Sequence, residues 1–294
     1  MKIGIIGAGS IGLLTGAYLG KDHQVHMFVR NQQQKNRLEK DGIVCDALQN
    51  PTRVEAHYTE EVKAGFDLWI ITVKQHQLEQ VMNLDFPHNV PLLFLQNGMG
   101  HLDMLSRSPY TCWVGVVEHG ALKQGHNSVS HTGKGNVQIA RISDEEESAL
   151  PKVVDVLHKE NFPIFLQEDY EKMLASKLLV NTVINPVTAL FQLKNGSIVN
   201  NPHIQTIARE LCREACGILD FSFAEEWERV KMIAEKTALN QSSMLKDLIE
   251  NRVTEIDAIN GYVLRRSSDP LPYHQFIVHA IHAIEHEKGV RNYE

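Results

Sequence analysis

The first half of the chain alternates short apolar runs with stretches of helical period. KIGIIG predicts a buried strand, and Ile11 to Leu19 the helix that follows it. QVHMFV predicts a second strand, followed by a polar helix from about Gln32 to Lys40. DLWIITV and PLLFLQ predict a third and a fourth, each bounded by turn residues. Apolar runs of this length separated by helices imply a parallel sheet covered on both faces. CWVGVVEHG, SVSHT and NVQIAR read as further strands, and the short gaps between them suggest antiparallel pairing at the sheet edge.

After about Phe165 the strand signals stop. Helical period predicts helices over Tyr170–Phe191, His203–Leu219, Glu225–Thr237, Ser242–Glu250, Thr254–Arg266 and Tyr273–Glu287, the last preceded by Pro270 and Pro272. The expected organisation is therefore a doubly wound Rossmann-type α/β domain over residues 1–167 and an all-helical domain over 168–294. Ligands of such open sheets bind beyond the carboxyl ends of the strands, where a second domain can close over them.

Composition narrows the class. The chain has 294 residues, 43% of them hydrophobic and 22% charged, which is the balance of a globular protein. A formal net charge of −7 argues against a nucleic-acid-binding surface, though not against a local cationic pocket for phosphate. Cys45, Cys112, Cys212 and Cys216 contain no CxxC pair, a reduced intracellular pattern. No signal segment and no run of eighteen apolar residues is read, so a cytoplasmic protein without a membrane partner is expected. His279, His282 and His286 are at helical spacing, but a solvated helix face explains them and no metal is expected. His119, after a strand, either faces a cofactor or packs at the strand end. Oligomeric state stays open between monomer and homodimer.

Gly7-Ala8-Gly9-Ser10-Ile11-Gly12 is a full GxGxxG placed between a predicted strand and a predicted helix. In that context Gly7 makes the turn, Gly9 admits a pyrophosphate, and Gly12 lets helix and strand pack closely. The second strand ends in Arg30, with no acid before Glu39. A carboxylate would repel a ribose 2′-phosphate, whereas a guanidinium binds it, so NADPH is the expected cofactor, with Asn31 and Lys35 as helpers.

Lys177, Asn181 and Asn185 recur every four residues in an otherwise apolar helix, one stripe of an ammonium and two amides. Burying such groups without partners costs a few kcal/mol each, about 2–7 for an amide. Hydride addition to a ketone develops alkoxide charge, which a positioned ammonium stabilises and then protonates. The pattern reads as a carbonyl reductase.

These features join others in a fixed order: Arg30, Thr72-Val73-Lys74, Gln96-Asn97-Gly98-Met99-Gly100, Lys177-x3-Asn181-x3-Asn185-Pro186, Asn195-Gly196, Ser242-Ser243-Met244 and Thr254-Glu255-Ile256-Asp257-x2-Asn260-Gly261. Over nearly its whole length the chain resembles the 2-dehydropantoate 2-reductase (ketopantoate reductase) family. The resemblance implies NADPH-dependent reduction of the small 2-oxo acid 2-dehydropantoate to (R)-pantoate, in pantothenate and coenzyme A biosynthesis. It implies Lys177 as general acid and Glu255 where nicotinamide, substrate and lysine meet. It also implies Lys74, Asn97 and Ala121 at the cofactor, and Asn97, Asn181, Asn185, Asn195 and Ser243 at the substrate. Ala175 stands where members often carry Trp, and Glu118 where a small hydroxyl residue is common. Two alternatives are a reductase of another small 2-oxo acid and a non-enzymatic NADP-binding sensor.

Overall fold

The computed structural model describes residues 1–142 and 149–291. The chain divides into two compact units, Met1–Gln96 with Leu102–Met173, and Asn97–His101 with Leu174–Glu294.

The first unit contains strands β1 (Lys2–Ile6), β2 (Gln24–Val29), β3 (Val44–Cys45), β4 (Glu55–Tyr58), β5 (Leu68–Ile71), β6 (Leu92–Phe94), β7 (Cys112–Val117), β8 (Gly120–Lys123), β9 (Ser128–Gly133), β10 (Val137–Arg141) and β11 (Ile164–Leu166). Its helices are α1 (Ser10–Leu19), α2 (Gln32–Asp41), α3 (Leu78–Met82), α4 (Leu102–Leu105) and α5 (Leu150–Leu157). The main sheet runs β11-β10-β7-β6-β5-β1-β2-β4. From β4 to β7 every pairing is parallel, and strand order reverses between β1 and β5. That reversal is the switch point at which open α/β sheets bind ligands.

The three late strands differ from the sequence expectation. β10 does pair antiparallel with β7, Val137 opposite Val117, but β11 continues the sheet beyond it in parallel. β9 does not join this sheet. It forms an antiparallel hairpin with β8, and with β3 makes a separate three-stranded sheet. The place beside β7 is already filled by β10, so the hairpin packs over α1 instead. This explains why α1 is apolar on every side. Gly12 to Leu19 are all buried, with β1 and β2 against one flank and β3, β8 and β9 against the other. His119 sits in the tight connection from β7 to β8. It is buried, stacked 4.5 Å from Phe162, and its Nδ1 accepts from the Gly135 amide at 3.1 Å.

The second unit is built of α6 (Tyr170–Leu190), α7 (Ser197–Asn200), α8 (Pro202–Leu219), α9 (Phe223–Lys236), α10 (Ser243–Ile249), α11 (Ile256–Arg266) and α12 (Pro272–Glu287). α6 holds no run of eighteen apolar residues, yet it is apolar on average. Its 21 residues, with a mean hydropathy of 1.3 over the most apolar window, meet the length and composition of a membrane span. It is the one such helix among the described residues, and 72% of that window is buried inside the protein.

Pro186 lies inside α6 and has no amide hydrogen, so the Thr182 carbonyl four residues earlier loses its helical donor. Asn260 of α11 supplies the missing hydrogen bond, donating from Nδ2 to the Thr182 oxygen at 2.9 Å. Both residues are fully buried. Asn260→Ala should therefore lower unfolding stability by about 1–3 kcal/mol, the cost of an unmade buried bond. Pro186→Ala restores the helical donor, so in that background the same substitution should cost measurably less. Denaturant unfolding of the four variants in a double-mutant cycle checks this, and equal costs in both backgrounds would refute the link.

Candidate functional site

In the first unit, β1 ends at a turn in which Gly7 adopts φ +101°. The Thr72 hydroxyl, just past β5, donates to the carbonyls of Gly7 at 2.9 Å and Ile6 at 3.1 Å. A Cβ on Gly12 would stand 2.0 Å from the Gly7 oxygen and 2.5 Å from Thr72 Oγ1, so only glycine allows this crossing. At Gly9, by contrast, an added Cβ meets nothing within 4 Å. Gly9 is the N-cap of α1, with no side-chain cap and no acid in the first turn. An uncapped helix start beside open space suits an anion such as a pyrophosphate.

Two side chains missed by the sequence reading fix this loop. The Ala8 carbonyl accepts from Gln34 Nε2 at 2.9 Å and from Lys123 Nζ at 3.0 Å. The Lys123 amide also donates to Ser10 Oγ at 3.1 Å, which ties β8 to the first turn of α1. Ala121, two residues earlier on β8, is half-buried, as is Ile11. Arg30 is exposed beyond β2 and donates to Gln80 Oε1 at 3.1 Å. Of its expected helpers, Asn31 caps α2 by accepting from the Gln34 amide, and the Lys35 ammonium is paired with Glu39 at 2.6 Å. Lys74 is half-buried in the connection after β5.

The second unit holds the polar stripe of α6. Lys177 and Asn181 are half-buried and Asn185 is buried. Asn97, at the start of the Asn97–His101 segment, donates from Nδ2 to Glu255 Oε2 at 3.0 Å. The next residue, Gly98, has φ +80°, and a Cβ there would stand 2.3 Å from the Ala258 oxygen of α11. Glycine is thus what lets this turn lie against the start of α11. Glu255 is the N-cap of α11, but its side chain makes no capping bond. Thr254 Oγ1 accepts from the Ile256 amide instead.

The segment before Glu255 is held by α12. Fully buried Glu285 accepts from the Thr254 amide through Oε1 at 2.7 Å, and its other oxygen lies 2.7 Å from Arg291 Nε. Arg291 also pairs with Asp257 at 2.6 Å, and His282 Nε2 lies 2.9 Å from the same carboxylate. Asn195 is docked against the turn after α9, donating from Nδ2 to Thr237 Oγ1 at 3.0 Å, and its buried Oδ1 has no hydrogen-bond partner among the described residues. Ser243 is exposed in the first turn of α10, whose cap is its buried neighbour Ser242.

The strand order and the loop define a dinucleotide-binding α/β protein with an appended helical unit. The sequence matches "Ketopantoate reductase PanE/ApbA" over residues 3–144 and "Ketopantoate reductase PanE/ApbA C terminal" over 169–285. The chain belongs to the ketopantoate reductase family. It is 40% identical to a 2-dehydropantoate 2-reductase of Bacillus subtilis over 91% of each chain. It is 32% identical to one of Listeria monocytogenes over 99% of each. The crystal structure of a probable 2-dehydropantoate 2-reductase of Bacillus subtilis superposes with a TM-score of 0.84 at 36% identity, covering 97% of this chain and all of the other. A ternary structure of D-mandelate dehydrogenase with NADH and anilino(oxo)acetate shares the fold, with a TM-score of 0.92 at 23% identity over 99% of this chain and all of that one.

His101, which closes the Asn97–His101 segment, is buried, and neither ring nitrogen has a hydrogen-bond partner among the described residues. Burial pushes it down from near 6.5 to about 4, and burial does the same to His119. In each case the unfolded chain takes up the proton first, so stability falls as pH drops from about 6.5 towards 4. Carboxylates titrate mainly below about pH 5, so the histidines dominate above it. His101→Leu should therefore recover roughly 1.5 kcal/mol of the stability that wild type loses between pH 6.5 and 5. Urea unfolding across that window checks this, and an unchanged pH slope would refute it.

Proposed function

We propose that this chain reduces 2-dehydropantoate to (R)-pantoate with NADPH, as a cytoplasmic enzyme of pantothenate biosynthesis. Residues 1–167 hold the nucleotide, and residues 168–294 hold the oxo acid and the proton donor. The observation that carries this reading is the stripe of Lys177, Asn181 and Asn185 on a helix whose other faces are core. The identity of 40% to a 2-dehydropantoate 2-reductase across 91% of the chain supports it.

The open start of α1 and the bare Gly9 backbone fit the pyrophosphate of a dinucleotide, and Ser10 and Ile11 supply amides there. Arg30, exposed past β2, would meet the 2′-phosphate, with Lys74 and Ala121 as further cofactor contacts. NADPH supplies the hydride. Lys177 stabilises the negative charge that grows on the ketone oxygen and gives it a proton from Nζ. Asn181, Asn185, Asn195 and Ser243 offer neutral hydrogen-bonding groups to the carboxylate and hydroxyl of the oxo acid, which orient it without adding a competing charge. Glu255, its carboxylate held by Asn97 rather than spent on the helix, accepts from the substrate hydroxyl.

Lys177→Ala should lower kcat by roughly two to four orders of magnitude, the range of a lost general acid, with NADPH affinity little changed. Following NADPH absorbance with 2-dehydropantoate beside unbranched 2-oxo acids tests both reaction and substrate. Near-normal turnover of a folded Lys177→Ala protein would sink the assignment.

Arg30→Asp replaces attraction for a 2′-phosphate by repulsion. The KM for NADPH should rise by at least about tenfold while that for NADH moves little, a difference worth more than about 1.4 kcal/mol. Equal use of the two cofactors by wild type would overturn this reading of Arg30.

A further inference from the structure

A cluster outside this site has a geometry of its own. On the parallel pair β2 and β4, His26 stands opposite Glu55, and Phe28 opposite His57. Residues two apart on a strand point the same way, so these four share one face. His26 Nδ1 lies 2.9 Å from His57 Nε2 and 3.4 Å from Glu55 Oε2, and that oxygen lies 3.8 Å from His57 Nε2. Among the described residues this is the one group of three or more His, Cys, Asp or Glu side chains with ligand atoms this close.

We propose that His26 Nδ1, His57 Nε2 and a Glu55 carboxylate oxygen form a three-ligand site for a divalent first-row transition metal, with zinc as the best match. Tetrahedral zinc with bonds of about 2.0–2.1 Å sets its ligand atoms about 3.3 Å apart, and the three observed separations straddle that value. Two imidazoles and one carboxylate are a common zinc set, and the exposed Glu55 leaves a fourth position for water. The strands hold the ligands in register. The buried ring of His26 abuts Phe66 edge-on at 5.0 Å, and His57 stacks on Phe28 at 5.0 Å.

Without metal, the two imidazoles share one N–H···N hydrogen bond. Metal takes the place of that proton, which moves to the outer nitrogen of the same ring, so two neutral histidines bind with no net proton release. Lys2, Lys35 and Lys63 face the cluster and oppose a cation, while Glu55 and Glu61 favour it. With opposing charges nearby and one exposed ligand, the site should bind metal more weakly than a buried structural site does. The sequence reading expected no metal because it weighed only the C-terminal histidines. His57 lies on a short, half-polar edge strand that the apolar pattern does not reveal.

The test is Zn2+ titration of the full chain after chelator treatment, by calorimetry and thermal unfolding, with Co2+ absorption reporting tetrahedral coordination. Wild type should take up one equivalent at micromolar concentration, with a rise in unfolding temperature. Losing an outer-shell partner alone costs about 10–100-fold in metal affinity, so His57→Gln and Glu55→Gln should each weaken binding at least about tenfold. His282→Gln, on α12, should not. Glu55 is exposed, so its variant decides the matter even if His57→Gln fails to fold. No uptake by wild type, or equal uptake by the Glu55→Gln protein, would overturn the proposal.

Discussion

The helical unit is organised around a hydrogen bond that one of its helices cannot make for itself. α6 runs through the core, so each of its backbone groups must be satisfied inside the protein. Pro186 removes one donor, and Asn260 returns it from α11. The two linked residues are not arbitrary positions. Thr182 lies five residues after Lys177, and Asn260 five residues after Glu255. At 1.5 Å of rise per residue, Lys177 and Glu255 are each about 7.5 Å along the helix from the link. A single buried amide therefore sets the register between the helix that carries the lysine and the helix that opens at the glutamate. From the other side, Glu285 holds the Thr254 amide and Arg291 joins Glu285 to Asp257. Glu255 is bracketed before and after by buried polar contacts, while its own carboxylate is left to Asn97.

The first unit solves a different problem, that of thickness. The start of α1 crosses the ends of β1 and β5 so closely that no Cβ fits at Gly12. The helix cannot move outward, because the small sheet of β3, β8 and β9 covers its far side. That cover also brings Lys123 and Gln34 onto the Ala8 carbonyl, so the loop is braced from β8 and α2 as well as by Thr72 from β5. What remains unbraced is the Gly9 backbone and the first amides of α1, where an anion would sit. Rigidity on three sides thus surrounds a backbone that stays open on the fourth.

How much of this the sequence discloses follows from the range of the interactions. β1, the glycine turn and α1 are contiguous, and their signals reinforce one another within a dozen residues. The stripe on α6 is visible because its residues repeat along one helix. The Asn260 to Thr182 bond spans 78 positions, and nothing near Asn260 announces its partner. β4, with the pattern Glu-Ala-His-Tyr, is a four-residue edge strand that alternates polar with apolar or aromatic positions, but over the shortest window in which that period can be read. Because it was not read as a strand, the approach of His57 to His26 was not readable either. Of the hairpin, β9 was read as a strand and β8 was not, and the sheet they form depends on β10 having taken the place beside β7, which is a property of the whole unit.

Glu255 shows why local rules and function part company. A carboxylate at a helix N-terminus ordinarily accepts from the first free amides and gains from the helix dipole. Here the neighbouring Thr254 hydroxyl takes the Ile256 amide, and Glu255 makes no capping bond. The helix is capped by an uncharged group, and the carboxylate accepts from Asn97 instead. The same economy appears at α10, where Ser242 caps the helix from a buried position and Ser243, beside it, stays exposed. In both places two adjacent residues divide the work, one closing the helix and the other making no capping bond to it. A capping rule read from sequence alone would have assigned Glu255 to the helix, and the fold assigns it to Asn97 because Gly98 lets that turn come within touching distance of α11.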